Sequence, residues 1–326
     1  MNQRLHEAAM TAPARGGTPR LPHICFVAPH IWPVLSGSRD LPQVGGAEVQ
    51  QSHLARALAA AGHRVTMLSL DYGQGAEAML DNIRVLGLHR PEAGVRGLRF
   101  LHPRLTGLWR GLRAADADIY YQRGADMQTG VMAAFCRRHG KKAVFAGACN
   151  ADFQPGGQLI RFARDRRLFE YGLRRVDAVV AQNPAQQRMS REHYGREATL
   201  IPSCYPRPAP LGAAERTEVL WVGTLRSFKF PERFIDLARR LPQFRCTMIG
   251  GPGGQDAQQL AYFHHLRDMA AQVPNLAFLG FVHPREVEAH FDRARVFVNT
   301  SDVEGFPNTF LQAWARGIPS VSLFDP

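Results

Sequence analysis

Glu304 stands in a short loop, Ser301-Asp-Val-Glu-Gly-Phe-Pro-Asn-Thr-Phe-Leu-Gln312, set between a strand-like and a helix-like run. The strand is read at Val296-Phe-Val-Asn-Thr300, and the helix from Asn308 to Arg316, closed by Gly317. A helix that starts after such a loop aims backbone N–H groups at an anion, and its dipole favours negative charge there. A carboxylate in the same loop repels an anion unless it accepts from hydroxyl groups. A sugar joined to a phosphate meets both conditions. Gln312 falls eight positions after Glu304, one turn into the helix.

A second corner offers the matching cations. Val222-Gly-Thr-Leu-Arg-Ser-Phe-Lys-Phe-Pro231 places Arg226 and Lys229 between the end of a strand and the first residue of a helix. Ligands of open parallel sheets bind beyond the carboxyl ends of the strands, and both corners lie on that side. A diphosphate held by Arg226, Lys229 and the N–H groups around Asn308 and Thr309 fits this arrangement. Taken alone, Arg226 and Lys229 read equally well as solvated loop residues; it is the second corner that favours the anion.

Three other clusters are weaker. Gly250-Gly-Pro-Gly-Gly254 follows a strand but departs from dinucleotide spacing, because Asp256 stands where the last glycine belongs. It reads as a loop near a nucleotide or as plain turn chemistry. Asp116-Ala-Asp118 precedes a strand, on the side away from the crevice, so no metal site is read there. Asn150-Ala-Asp152 follows a strand and faces the crevice, where Asp152 either meets an acceptor hydroxyl or caps its own loop.

The elements that must carry these residues alternate strand and helix, which predicts parallel α/β sheets. Strands are expected at Ile24–Ala28, Arg64–Leu70, Ile83–Leu88, Asp118–Tyr121, Ala143–Ala146, Ala178–Ala181 and Thr199–Ile201. The intervening helices fall at Ala47–Ala61, Met127–His139, Leu159–Arg175 and Pro184–Tyr194. Pro29 to Gly46 is a long loop of the kind that is usually functional. Proline clusters in Pro202-Ser-Cys-Tyr-Pro-Arg-Pro-Ala-Pro210, the best boundary in the chain. The expected organisation is a disordered tail over 1–22, a first Rossmann-like unit over 23–203, a linker over 204–217 and a second unit over 218–326. Strands of the second unit are read at Val219–Gly223, Arg245–Gly250, Leu276–Gly280, Val296–Thr300 and Ser320–Phe324. The pattern stops at a strand, so this unit is expected to lack a closing helix.

The chain has 326 residues, enough for two domains, and 45% hydrophobic residues. No apolar run nears the roughly 18–20 residues that span a bilayer, and residues 1–22 lack the apolar core of a signal peptide. Five scattered cysteines show no zinc or redox spacing and read as free thiols in a reducing compartment. The net charge of +12 favours anionic partners. No nucleic-acid motif accompanies it, so phosphorylated substrates or an anionic membrane are preferred to nucleic acid. Between Arg90 and Arg113, Leu98, Leu101, Leu105, Leu108 and Leu112 recur at helical spacing with arginines between them. Such a segment lies on anionic lipid or packs inward with a solvated basic face. Pro103 must interrupt or begin the helix.

Four segments together carry a resemblance to family 4 glycosyltransferases of the GT-B fold. Val44-Gly-Gly-Ala-Glu48, with Leu54-Ala-Arg-Ala-Leu58 and Gly62-His-Arg-Val-Thr66, resembles the family's first glycine loop, helix and second strand. Val222 to Lys229 resembles its phosphate loop, and Asn275-Leu-Ala-Phe-Leu-Gly-Phe-Val282 its base-contacting strand. Ser301 to Gln312 resembles the signature with two glutamates eight residues apart. The resemblance implies two Rossmann-like domains facing a cleft and a UDP- or GDP-sugar donor bound mainly to the second. It implies that Glu304 holds donor-sugar hydroxyls and that Gly305, Phe306, Asn308 and Thr309 contact sugar and diphosphate. Lys229 and Arg226 would neutralise the phosphates, Gly46 would approach from the first domain, Gln312 would meet the ribose, and Phe281 and Val282 the base. Gln312 replaces the second glutamate, Thr224 stands where the family usually has an arginine, and Asn150 or Asp152 stands nearest the place of its first-domain histidine.

The expected activity is retaining transfer of a sugar from a nucleotide-diphosphate donor, with no bound metal and no cofactor, the nucleotide-sugar being a substrate. The expected acceptor is lipid-linked or an oligosaccharide in cell-surface or exopolysaccharide synthesis. The expected location is the cytoplasm, on the inner membrane face. A non-catalytic nucleotide-sugar or glycan-binding relative and a nucleotide-sugar epimerase of the same fold are the alternatives.

Overall fold

A computed structural model describes residues 20–37, 45–208, 215–254, 256–302 and 307–324. Most of the expected tail and part of the expected linker lie outside the described residues. So do Glu304, Gly305 and Phe306.

Two parallel sheets organise the chain. The first contains β1 (Ile24–Val27), β2 (Val65–Ser69), β3 (Glu77–Leu80), β4 (Ile83–Gly87), β5 (Ile119–Arg123), β6 (Lys142–Ala146), β7 (Ala178–Ala181) and β8 (Thr199–Leu200), in spatial order 3-4-2-1-5-6-7-8. The second contains β9 (Glu218–Val222), β10 (Arg245–Ile249), β11 (Leu276–Gly280), β12 (Ala294–Asn299) and β13 (Ser320–Ser322), in order 11-10-9-12-13. Central strands such as β1 and β2 are buried along their whole length, as parallel strands covered on both faces must be.

The first sheet carries one antiparallel strand that the alternating pattern did not predict. β3 pairs with β4 from Glu77↔Leu86 to Leu80↔Ile83. Asp81 and Asn82 make the turn between them, both at positive φ (50° and 61°). A two-residue hairpin needs that backbone, and Asp and Asn tolerate it best after glycine. The exposed–half-buried alternation of β3 is that of an edge strand.

Helices pack on both faces of the first sheet. They are α1 (Trp32–Ser36), α2 (Gly46–Ala60), α3 (Thr106–Ala115), α4 (Met127–His139), α5 (Ala163–Leu173) and α6 (Pro184–Tyr194). The second sheet carries α7 (Pro231–Arg240), α8 (Ala257–Ala270), α9 (Pro284–Arg293) and α10 (Asn308–Trp314). Each sheet is sandwiched by two apolar clusters. Phe145, Phe153 and Phe169 centre one side of the first sheet, and Phe26, Met67 and Ile31 the other.

Two helix expectations need correction. The leucine series from Leu98 is not one helix, because residues 100–105 form an irregular wide turn with His102 extended (φ −133°, ψ 124°). Pro103 lacks an N–H and pushes its predecessor out of helical geometry, so α3 starts only at Thr106. The helix expected from Leu159 starts at Ala163 instead, after an extended Phe162.

Candidate functional site

Strand order decides which loops meet. From β9 the second sheet grows through β10 to β11, and β12 then returns to the other side of β9. The loops after β9 and β12 therefore start side by side at the point where the order reverses, where α/β sheets leave a crevice. These are the Arg226/Lys229 corner and the Ser301–Asn308 corner.

Thr300 ties the two corners. Its hydroxyl accepts from Trp221 Nε1 (3.0 Å) and donates to the backbone oxygen of Lys229 (2.7 Å). Arg233, on α7, donates to the Thr300 carbonyl (3.3 Å) and pairs with Asp302. Residues 227–229 form one tight turn, and Phe230 follows at φ 45°, a left-handed conformation that costs a bulky residue energy. Arg226 is exposed at the head of this turn and Lys229 is half-buried.

The glycine run that misses dinucleotide spacing has a packing role here. A Cβ on Gly250 would lie 2.1 Å from the Gly223 carbonyl, and one on Gly253 would lie 2.7 Å from Arg226 Cγ. Leu225 bridges Pro252 in parallel fashion. The loop after β10 is thus pressed against the Arg226 corner, and only glycine permits that approach. Its other side meets Phe281, whose Cβ would be 3.2 Å from a Cβ on Gly251. Phe281 is partly exposed and Val282 packs against the Phe297 cluster, at the end of β11.

The first domain closes the site through α2. Asn308, the first residue of α10, donates through Nδ2 to the Gly46 carbonyl (3.0 Å) and accepts from Gln50 Nε2 (2.9 Å). Gln50 also binds the linker, accepting from Cys204 N (3.0 Å) and donating to Cys204 O (2.6 Å). Gly46 and Asn308, each expected to face the donor, are thus in contact with one another. Gln50, the residue that links both to Cys204 of the linker, was not singled out; a polar residue buried one turn into a helix after a glycine loop was its signal.

Gln312, expected to meet the ribose, has its amide nitrogen engaged within the protein. Its Nε2 donates to Glu288 Oε1 (2.8 Å) on α9, and Tyr205 of the linker donates to the same carboxylate. Arg316 pairs with Glu288 (2.6 Å) and Asp292 (2.6 Å). Burial, with the Glu288 charge beside it, pushes the Tyr205 hydroxyl well above its usual range.

The first-domain wall of the cleft is built from the ends of β1, β2 and β5. His30 Nδ1 meets the Tyr72 hydroxyl (2.7 Å), and Arg123 Nη2 donates to Ser203 (3.0 Å). Burial raises the Glu48 carboxyl, and the Arg123 charge partly offsets it. Burial also pushes Tyr72 up to about 12. Sequence reading missed Arg123, although its place at the end of a central parallel strand is a signal.

Asp152 corrects an expectation. Its side chain does not reach out to an acceptor. The residue is 5% exposed, and its carboxylate accepts from the N–H groups of Ala125 (3.2 Å), Ala148 (2.6 Å) and Cys149 (3.1 Å). It shapes the loops after β5 and β6. Asp116 and Asp118 lie at the opposite edge, where Asp118 accepts from His23 N (2.8 Å) and Asp116 pairs with Lys141 (2.9 Å). Thr309 is half-buried beside Asn308 in the first turn of α10. Among the described residues no three His, Cys, Asp or Glu side chains converge in a group able to hold a metal ion.

Family models match both halves: glycosyltransferase family 4 over residues 44–205, and glycosyl transferases group 1 over residues 216–324. The chain belongs to glycosyltransferase family 4. Its two facing parallel-sheet domains are the GT-B fold of that family. A curated relative of this family 4 chain is mannosylfructose-phosphate synthase of Agrobacterium fabrum, 28% identical over 171 residues. That match covers 45% of this chain and 38% of the relative, so the chain aligns with less than half of the relative's length. Among solved structures, sucrose-phosphate synthase of Thermosynechococcus elongatus superposes with a TM-score of 0.70 at 18% identity, over 92% of this chain and 81% of that one. HepE of Anabaena, solved with UDP and glucose, gives 0.67 at 18% identity, over 92% and 80%. The catalytic domain of starch synthase IV from Arabidopsis thaliana, bound to ADP and acarbose, gives 0.68 at 11% identity, over 93% and 83%.

Proposed function

We propose that this chain transfers a sugar from a nucleotide-diphosphate donor, UDP- or GDP-linked, to an acceptor hydroxyl with retention of anomeric configuration. The observation that carries this is the Thr300 tie. It sets a cationic corner, Arg226 and Lys229, beside the end of β12, from which the chain runs on towards Glu304, at the crevice of the second sheet. The structures of HepE with UDP-glucose support a donor of this class.

In this reading Arg226 and Lys229 carry the diphosphate charge, Glu304 accepts from donor-sugar hydroxyls, and the region of Phe281 and Val282 takes the base. The bond from the anomeric carbon to the leaving phosphate oxygen breaks. The acceptor oxygen bonds to that carbon on the same face, and its proton passes to the departing diphosphate. The chain contributes placement and charge stabilisation rather than a nucleophile. Arg226 and Lys229 are proposed to neutralise the leaving group, and the transfer is proposed to need neither metal nor cofactor.

The acceptor is proposed to be lipid-linked or an oligosaccharide in cell-surface polysaccharide synthesis. The proposed location is the cytoplasmic face of a membrane. The basic first domain supports that location; among the described residues no helix is long and apolar enough to cross a bilayer.

Calorimetric titration with UDP, GDP and their sugars, paired with a donor-turnover assay and NMR of the product anomer, tests the reading. Glu304→Gln is expected to bind donor and lose most turnover. Binding without turnover in the unmodified chain favours a non-catalytic relative, a reading that the engagement of Gln312 by Glu288 supports. A new sugar nucleotide formed from donor alone points to an epimerase. An inverted product anomer overturns retention.

A further inference from the structure

The first domain carries an apolar groove of about 660 Å³, lined by none of the residues assigned to the donor site. Its floor is α4, through Gly130, Val131 and Ala134. Trp109 of α3, with Leu105 of the turn before it, forms one wall, and Leu168 and Tyr171 form the other from α5. The groove exists because α5 lies unusually close to α4. A Cβ on Gly130 would meet the Leu168 carbonyl at 2.1 Å, and one on Gly172 would meet Gly130 N at 2.6 Å. With α5 drawn down on that side, the larger side chains of α3 stand apart from it.

The groove's surroundings are both basic and apolar. Arg110 and Arg113 project from α3 at its rim. At the N-terminal ends of α3 and α5, the Arg164 guanidinium lies 3.3 Å over the Phe100 ring and 5.9 Å from Phe162, so it joins the two segments. Phe162, Leu98 and Leu101 are exposed around that junction, at 48%, 61% and 55%. Two acids accompany these arginines on α5: Asp165, buried and paired with Arg164 (2.8 Å), and the half-buried Glu170. The surface is therefore cationic around an uncovered apolar trough. A protein partner of mixed charge does not match that composition, whereas a bilayer with anionic headgroups does.

We propose that the groove between α3 and α5 takes one acyl chain of an anionic membrane lipid, while the arginines at its rim engage headgroup phosphates. Leu98, Leu101 and Phe162 enter the same leaflet. This rests on the membrane location proposed above and names the place where contact is made.

The experiment uses the full chain with phosphatidylcholine vesicles, with and without phosphatidylglycerol, some carrying bromine along the acyl chains. Anionic vesicles are expected to sediment the protein, and brominated chains to quench its tryptophan emission. Trp109→Phe is expected to abolish most of that quenching while sedimentation persists. Ala134→Phe, which fills the floor, is expected to weaken sedimentation about tenfold. Should that variant fail to fold, the Trp109 quenching alone decides. Sedimentation without quenching of Trp109 overturns the groove proposal and leaves the membrane location standing. No sedimentation with either vesicle overturns both. Lipid-independent dimerisation that Ala134→Phe abolishes identifies a second copy as the occupant and overturns the proposal too.

Discussion

Gln312 donates its amide N–H to Glu288 Oε1 at 2.8 Å, so the position where the family usually has a second glutamate here faces a carboxylate from the neighbouring helix. The amide is the residue that this neighbour permits. A glutamate would set two negative charges against one another and would lose the charge-assisted hydrogen bond. The carboxylate that the signature lacks at 312 is thus present one helix away, already engaged by Tyr205 and Arg316.

Gln312→Glu is therefore expected to destabilise the chain by about 2 kcal/mol, the worth of a hydrogen bond to a charged group. The paired exchange Glu288→Gln with Gln312→Glu is expected to recover most of that loss. Thermal melts of the two single variants and the double variant form a cycle that measures the coupling. Additive losses would show that the two residues act independently.

Asn308 is expected to set how the domains meet over the donor. Asn308→Ala removes its bonds to Gly46 and Gln50, each worth about 1 kcal/mol. Donor affinity, measured by calorimetry, is expected to fall roughly 5- to 30-fold. Gln50→Ala in the same background is expected to lower affinity further only through its two bonds to Cys204, since the bond between Gln50 and Asn308 is already gone.

Asp152→Asn is expected to act on stability rather than on chemistry. One amide oxygen cannot accept from Ala125, Ala148 and Cys149 together, and the new N–H₂ would face a donor. A loss of about 1–3 kcal/mol follows from leaving a buried N–H unpaired. Denaturant titration measures it, and kcat per folded molecule is expected to stay near the unmodified value. A collapse of kcat with unchanged stability would return Asp152 to the acceptor site.

His23 sets a pH dependence. Arg64 Nη2 donates to its Nδ1 (2.7 Å), so its Nε2–H donates to Thr66 (2.9 Å) and the ring is neutral. Burial first, and then the Arg64 charge, lower its pKa below 6.5. The unfolded chain therefore binds this proton at higher pH than the folded one. Its contribution is fully present above about pH 6.5 and is lost as pH falls through that value, with a slope of at most about 1.4 kcal/mol per unit. His23→Gln is expected to flatten this part of the stability profile between pH 7 and pH 5, followed by thermal melts.

Local order in the chain was legible where one element's own residues decide it. Buried parallel strands read as continuous apolar runs, and the boundaries of α4 and α6 follow from capping and spacing alone. The antiparallel β3 was missed because four residues half open to water carry little pattern. Asp81-Asn82 was the turn signal that could have revealed it. Pro103 was legible as a break, but not the wide turn that precedes α3.

By itself the sequence determined the two α/β halves, the residue types of both corners and the likeness to family 4. Only the tertiary structure decided what those residues touch. That β12 lies beside β9 depends on where a crossover returns, and no window of sequence holds both strands. Gly46 meets Asn308 across 262 positions, and Glu288 claims Gln312 from another helix. Asp152 shows the converse: a carboxylate in the right loop, turned inward because three N–H groups there had no other acceptor. Residue chemistry is written along the chain, but hydrogen-bond partners are assigned by packing, which sums over distant segments.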